Sequence, residues 1–209
     1  MVKQGKQGIR ITHHMELLII FAKTPEPGKV KSRLARDIGQ EKALDVYRGL
    51  LDNTFKVAAN TGKNVHVCLS GNRVDNLHVP DHFSIGPQVG HDLGERMHNG
   101  ISEGLQKGYQ SVVLVGGDIY ELDENILSKA FASLANSDVV LGPALDGGYY
   151  LIGMKAEYPA IFRGIPWSTK RVMKKTLEKI HSLNLSYAIL PTLSDVDDLH
   201  DLVKCNIDW

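Results

Sequence analysis

Only two cysteines, Cys68 and Cys205, occur in the 209 residues, too few and too far apart for a disulfide framework or the paired spacings of a zinc site. Cys68 lies in the apolar run Val65-His66-Val67-Cys68-Leu69 and reads as a small core residue, which suits a reducing, cytoplasmic setting. No stretch approaches the ~18 apolar residues of a membrane-spanning helix. The first fourteen residues are basic but lack the apolar core of a signal peptide, so residues 1–14 are expected to form a flexible leader ahead of one domain at 15–209. Neither sign of charge is in excess: 24 Lys and Arg balance 24 Asp and Glu. Bulk charge therefore gives no support to a nucleic-acid or membrane partner. The nine histidines show no ligand spacing. Three motifs are also missing. There is no Gly-x-x-x-x-Gly-Lys-Ser/Thr, no Gly-x-Gly-x-x-Gly and no Gly-x-Ser-x-Gly, which disfavours a P-loop NTPase, a Rossmann oxidoreductase and an α/β-hydrolase in turn.

What is present is an alternation of strands and helices. The run Glu16–Ala22 reads as a first strand, and Val65–Leu69, Val112–Val115, Asp138–Gly142, Tyr149–Gly153 and Ser186–Leu190 as others, with a short one near Phe83–Ile85. Helices are expected over 41–59, where Leu44, Tyr47, Leu51 and Phe55 recur at helical spacing, over 93–106, and over 122–134 with Asp123 as a possible cap. A helix capped by Ser168 and running to His181, and one over 198–205, complete the pattern. Strand–helix alternation from end to end predicts a three-layer α/β/α sandwich on a mostly parallel mixed sheet.

Acidic and basic residues sit where such a sheet binds ligands. Val112-Val113-Leu114-Val115-Gly116-Gly117-Asp118 is a buried-type strand that delivers one carboxylate to the carboxyl edge. A hard divalent cation bridging phosphates needs such a group. After the first strand, Lys23, Lys29, Lys31, Arg33 and Arg36 crowd a loop that two prolines keep from being helical, and Gly28 would let the backbone approach a ligand closely. Phosphate binding is the expected use of that loop. Asp195, Asp197, Asp198 and Asp201 exceed what a helix cap needs, and Asp197 is the expected second metal ligand beside Asp118. Asp146-Gly147-Gly148 reads as a ligand-side loop or as an ordinary Asp-Gly hairpin turn. Arg96, early in its helix, could reach an anion or be ordinary surface charge, and Trp167-Ser168-Thr169 could line an acceptor pocket or cap a helix.

The segment Phe21-Ala22-Lys23-Thr24-Pro25-Glu26-Pro27-Gly28-Lys29-Val30-Lys31-Ser32-Arg33-Leu34 resembles the opening motif of the radical-SAM/selenodomain-associated transferase 1 family. Asp92–Met97, Gly142–Gly153, Trp167-Ser168-Thr169 and Asp195-Val196-Asp197 resemble its later motifs in the same order. That family is similar to the nucleotide-diphospho-sugar transferases of GT-A fold, with relatives among 2-phospho-lactate guanylyltransferases and molybdenum-cofactor nucleotidyltransferases. The resemblance implies that Asp118 and Asp197 hold Mg²⁺ or Mn²⁺, that Lys23, Lys31 and Arg33 meet phosphates, and that Asp146-Gly147-Gly148 borders the acceptor. It departs at Gly117-Asp118-Ile119-Tyr120, where the family has Thr before the aspartate and Ser-Pro after it, and at Asp198, where the family has Thr.

The resulting expectation is a metal-dependent transferase with a nucleotide donor and a small-molecule acceptor. Lys23, Lys31, Arg33 and Asp118 would carry the chemistry. Ala22, Lys23, Gly28, Lys31, Arg33 and Arg96 would bind the donor, and Asp146, Gly147, Gly148, Trp167, Ser168 and Thr169 the acceptor. Nucleotidyl transfer from a nucleoside triphosphate leads, because five cations suit a triphosphate. Glycosyl transfer from a nucleotide-sugar is the alternative, and a nucleotide-binding homologue with altered chemistry follows from the departures.

Overall fold

The computed structural model describes residues 15–71 and 77–205, so the leader expected at 1–14 lies outside the described residues. Seven strands form one sheet: β1 (Glu16–Lys23), β2 (Asn64–Ser70), β3 (Ser84–Pro87), β4 (Ser111–Gly116), β5 (Val139–Pro143), β6 (Tyr149–Met154) and β7 (Tyr187–Ile189). Their order is β3-β2-β1-β4-β6-β5-β7, and within this sheet only β6 runs antiparallel to its neighbours. The described residues form six helices, α1 (Leu34–Ile38), α2 (Gln40–Asn60), α3 (Leu93–Gln106), α4 (Glu124–Leu134), α5 (Val172–Ser182) and α6 (Leu199–Lys204), with a 3-10 turn at Pro159–Ile161.

Alternation along β1 decides the layers. Leu18 and Ile20 face one side, where Leu51 and Phe55 of α2 and Leu127 and Phe131 of α4 cover them. Leu17 and Ile19 face the other, against Met97 and Ile101 of α3 and Ile180 of α5. This is the three-layer α/β/α sandwich with a mixed, mostly parallel sheet. The long helix α2 buries a second stripe, Ala43, Val46 and Leu50, against Leu34, Val196 and Leu202, and so ties the basic loop and the C-terminal segment to the body. None of the described helices is long and apolar enough to cross a membrane.

The chain leaves β1 toward β2 and β3, then returns to the opposite side of β1 to form β4. The crevice between the carboxyl ends of β1 and β4 is therefore a topological switch point, the position where open α/β sheets bind ligands.

Several boundaries differ from expectation. Strand β3 starts after Phe83, whose ring is buried in the core and packs edge-on to Phe55. Helix α4 starts after Asp123, whose carboxylate accepts from Ile126 N at 2.7 Å and so fixes the first turn. Ser168 does not cap a helix. Its φ of +60° is left-handed, Thr169 Oγ1 donates to Pro166 O and accepts from Arg171 N in a tight turn, and α5 begins only at Val172.

Candidate active site

Strand β1 delivers the basic loop to the switch point. Gly28 takes the positive φ (+74°) its turn requires, and Lys29 N donates to Glu26 O there. Beyond the turn, Val30 and Leu34 are buried and anchor the loop to the body. Between them Lys31 adopts φ +46°, rare for a residue with a side chain, and its carbonyl accepts from Ala35 N at 2.8 Å. This backbone aims the Lys31 side chain inward, where it is only 3% exposed.

Its ammonium meets two carboxylates. Lys31 Nζ lies 2.7 Å from Asp118 Oδ2 and 3.3 Å from Asp197 Oδ1. Burial alone would push the ammonium's pKa down, and the two carboxylates together outweigh it, so the pKa is raised and Lys31 stays charged. Arg33 approaches the outer side of Asp197, with Nη1 3.6 Å from Oδ2, from a largely exposed position.

Asp118 reaches this point because β4 ends at Gly116. Gly117 N continues the ladder to Phe21 O at 3.0 Å, and a side chain at Gly117 would strike Leu51. Asp197 reaches it through a long-range contact: an antiparallel bridge pairs Ile119 with Asp195, docking the Asp195–Asp197 segment beside the end of β4. Ile119, one of the departures from the resembled family, is buried there in the core. Asp198 and Asp201 have a separate duty. They form a reciprocal capping box at the start of α6, and Asp201 also accepts from Asp197 N at 3.0 Å. Tyr47 is a further fixture. Its hydroxyl accepts from Lys23 N and donates to Lys23 O, and burial together with the Asp118 charge pushes its pKa up so that it remains a phenol.

Above these groups opens a cavity of about 440 Å³, large enough for a small-molecule ligand. Ala22, Lys23, Lys31, Asp118 and Asp197 line it. Asp146, Gly148, Trp167, Ser168, Thr169 and Arg96 line the same space. The structure thus brings most of the residues singled out from the sequence to one cavity. Three stand outside its walls. Gly28 sits in the loop's turn against Gln40, Arg33 lines a neighbouring cleft beyond Asp197, and Gly147 packs against the Lys170 backbone. Asp146-Gly147 is the β5–β6 hairpin turn, from which Asp146 alone lines the cavity, its Oδ1 accepting from Gly148 N at 2.7 Å.

Sequence reasoning missed Tyr47, which read as one more core residue of α2, and Gln88, which carries no motif. Gln88 lines the cavity and donates to both Ala22 O and Cys68 O at 3.1 Å, tying the ends of β1 and β2 together. Sequence reasoning named Asp195 among the acids without giving it a role; burial and then the Asp197 charge push its pKa up to about 6.

Hard carboxylate oxygens on Asp118 and Asp197 suit Mg²⁺ or Mn²⁺, and the position between them already holds a cation, the Lys31 ammonium. Among the described residues no three His, Cys, Asp or Glu side chains converge as an ion cage. A magnesium-type ion is commonly held by one or two carboxylates with substrate phosphates completing its shell.

A family model described as "Uncharacterized protein conserved in bacteria (DUF2064)" matches residues 52–169. A solved structure from Desulfovibrio desulfuricans G20, provisionally described as a nucleotide-diphospho-sugar transferase, is 36% identical with a TM-score of 0.85, over 90% of this chain and 84% of its own. Rv0371C from Mycobacterium tuberculosis H37Rv, solved as a complex with manganese, is 16% identical with a TM-score of 0.57, over 91% and 96% of the two chains. A CMP:2-keto-3-deoxy-manno-octonic acid synthetase complexed with CTP is 10% identical with a TM-score of 0.52, over 90% and 95%. The last two similarities concern the fold alone. No curated protein matches the chain.

Proposed function

We propose, from a chain that belongs to the DUF2064 family and is a transferase that uses a nucleotide, that its reaction is metal-dependent nucleotidyl transfer to a small acceptor bearing a phosphate or hydroxyl. Within that family the ordered motifs from Phe21–Leu34 to Asp195–Asp197 support membership of the radical-SAM/selenodomain-associated transferase 1 branch.

The observation that carries the reading is the cluster of Lys31, Asp118 and Asp197 at the switch point, opening on the cavity. Asp118 and Asp197 would hold Mg²⁺ or Mn²⁺, which when bound supplies positive charge to the donor phosphates and the leaving group. Lys23, Lys31 and Arg96, all lining the cavity, offer cations to the triphosphate. The lining residues from Asp146 to Thr169 offer the acceptor a polar turn and the indole of Trp167, which packs edge-on with Tyr149 at a ring-centroid distance of 6.3 Å. An acceptor oxygen forms a bond to the α-phosphorus, the α–β phosphoanhydride bond breaks, and pyrophosphate leaves with the electron pair. The protein's contribution is positioning and preorganised charge, the terms that dominate phosphoryl-type transfer.

Glycosyl transfer from a nucleotide-sugar is the second reading, favoured by the description of the 36%-identical relative. Phosphorus NMR separates the two. The protein would be incubated with Mn²⁺, a small-molecule extract as acceptor source, and either nucleoside triphosphates or nucleotide-sugars. Pyrophosphate appearing with a new nucleotidyl ester supports the proposal. Nucleoside diphosphate released from a nucleotide-sugar selects the second reading, and turnover of neither donor rejects both.

A further inference from the structure

We propose that Lys31 and the divalent ion exchange places: in the free protein Lys31 fills the metal position, and it moves to the donor phosphates when the ion enters. This rests on the metal-dependent reading above and adds to it a coupling between metal and phosphate binding.

Three observations carry the inference. The first is contact. Lys31 Nζ is within 3.3 Å of both carboxylates assigned to the metal, and takes Oδ2 of Asp118 at 2.7 Å. An ion bound to that oxygen at a distance of about 2.1 Å would stand beside the ammonium, too close for both cations to share the pair. The second is construction. The left-handed backbone at Lys31, its carbonyl bonded to Ala35 N, and the buried flanks Val30 and Leu34 hold the main chain in place. The exchange therefore needs only the side chain to swing, and its four-carbon stem allows that. The third is destination. Lys31 lines the same cavity as Lys23 and Arg96, so phosphates seated there lie within reach of the displaced ammonium. Two carboxylates close enough to share one ammonium repel each other when no cation stands between them, which explains why a lysine waits there.

The coupling is reciprocal: phosphates that draw Lys31 away strengthen metal binding, and the metal strengthens phosphate binding by the same factor. The test uses the full chain without nucleotide. Mn²⁺ is titrated and the free ion counted by electron paramagnetic resonance for wild type, Lys31→Met, Lys31→Gln and Asp118→Asn. Both neutral Lys31 variants should bind Mn²⁺ at least tenfold more tightly than wild type. Their melting midpoints should fall in EDTA and recover with Mn²⁺, and adding inorganic pyrophosphate to the Mn²⁺ form should raise the midpoint of wild type more than theirs. If the variants bind Mn²⁺ no more tightly than wild type while Asp118→Asn weakens it, the exchange is wrong and the metal site stands. If Asp118→Asn leaves Mn²⁺ binding unchanged, the metal site and the exchange fall together.

Discussion

The segment Asp195–Val196–Asp197 alternates a half-buried carboxylate, a fully buried valine and a second carboxylate. Its backbone bridge to Ile119 fixes Asp195 near three other acids. Burial first, and then the charges of Asp197, Asp146 and Asp118, push the Asp195 pKa up to about 6 from 3.8. The folded metal-free protein therefore binds more protons at this site than the unfolded chain does between those two values. Stability contributed here falls as pH rises through that window and stays lost above it. Asp195→Asn should relieve the strain. Its gain in melting midpoint over wild type, measured in EDTA, should be near zero at about pH 4 and grow until about pH 7. A gain that does not vary with pH would contradict this origin. Asp195 was visible in the sequence only as one of four nearby acids. Its difference from Asp198 and Asp201, which the α6 capping box consumes, depends on which way each side chain turns.

Helix α3 shows how one element serves both stability and the site. At its first turn Gly94 lies under the indole of Trp167, and a methyl group there would come within 2.6 Å of the ring. At its far end Gly104 lies over the sheet, where a methyl would come within 2.7 Å of Leu17 and 3.0 Å of Val112. Alanine improves helix propensity at both positions by about 1 kcal/mol. Gly104→Ala should nevertheless lower the melting midpoint, because overpacking a rigid sheet costs about 1–3 kcal/mol, and should leave KM values unchanged. Gly94→Ala should hold its midpoint but raise the acceptor KM severalfold, because Trp167 must leave the cavity wall. Thermal melts and steady-state kinetics of the pair distinguish the two roles, and the reverse pattern would contradict them. Periodicity was sufficient to read α3 and α2 from the chain, since each has a strong apolar stripe and α3 carries an Asp92 cap. It failed at α5, where Ser168 looks like a cap but occupies a left-handed turn instead. The turn is closed by Thr169, and Gly147 of the β5–β6 hairpin packs against the Lys170 backbone beside it, a contact between segments that a local pattern does not encode.

Across the whole molecule, the zero net charge conceals a sorted arrangement: cations of the β1 loop and carboxylates after β4 and before α6 converge on one crevice. The alternation of buried strands and amphipathic helices made the sandwich legible, and the Gly117-Asp118 pair just past the end of β4 made Asp118 stand out. The pairing of Lys31 with both aspartates was not legible. It depends on the crossover that returns β4 beside β1 and on the Ile119–Asp195 bridge, which joins segments far apart in the chain. The reading that rests on this convergence is a metal-assisted nucleotide site, and thermal unfolding tests it most directly. Wild type and Asp118→Ala would be melted with Mn²⁺ against a panel of nucleoside triphosphates and nucleotide-sugars. Ligand at a hundred times its dissociation constant adds about 2.7 kcal/mol, or about 5–10 °C at this chain length. One triphosphate should raise the wild-type midpoint by that amount only when Mn²⁺ is present, and Asp118→Ala should fold but lose the shift. Equal shifts in both proteins, or no Mn²⁺-dependent shift with any donor, would contradict the site at Asp118.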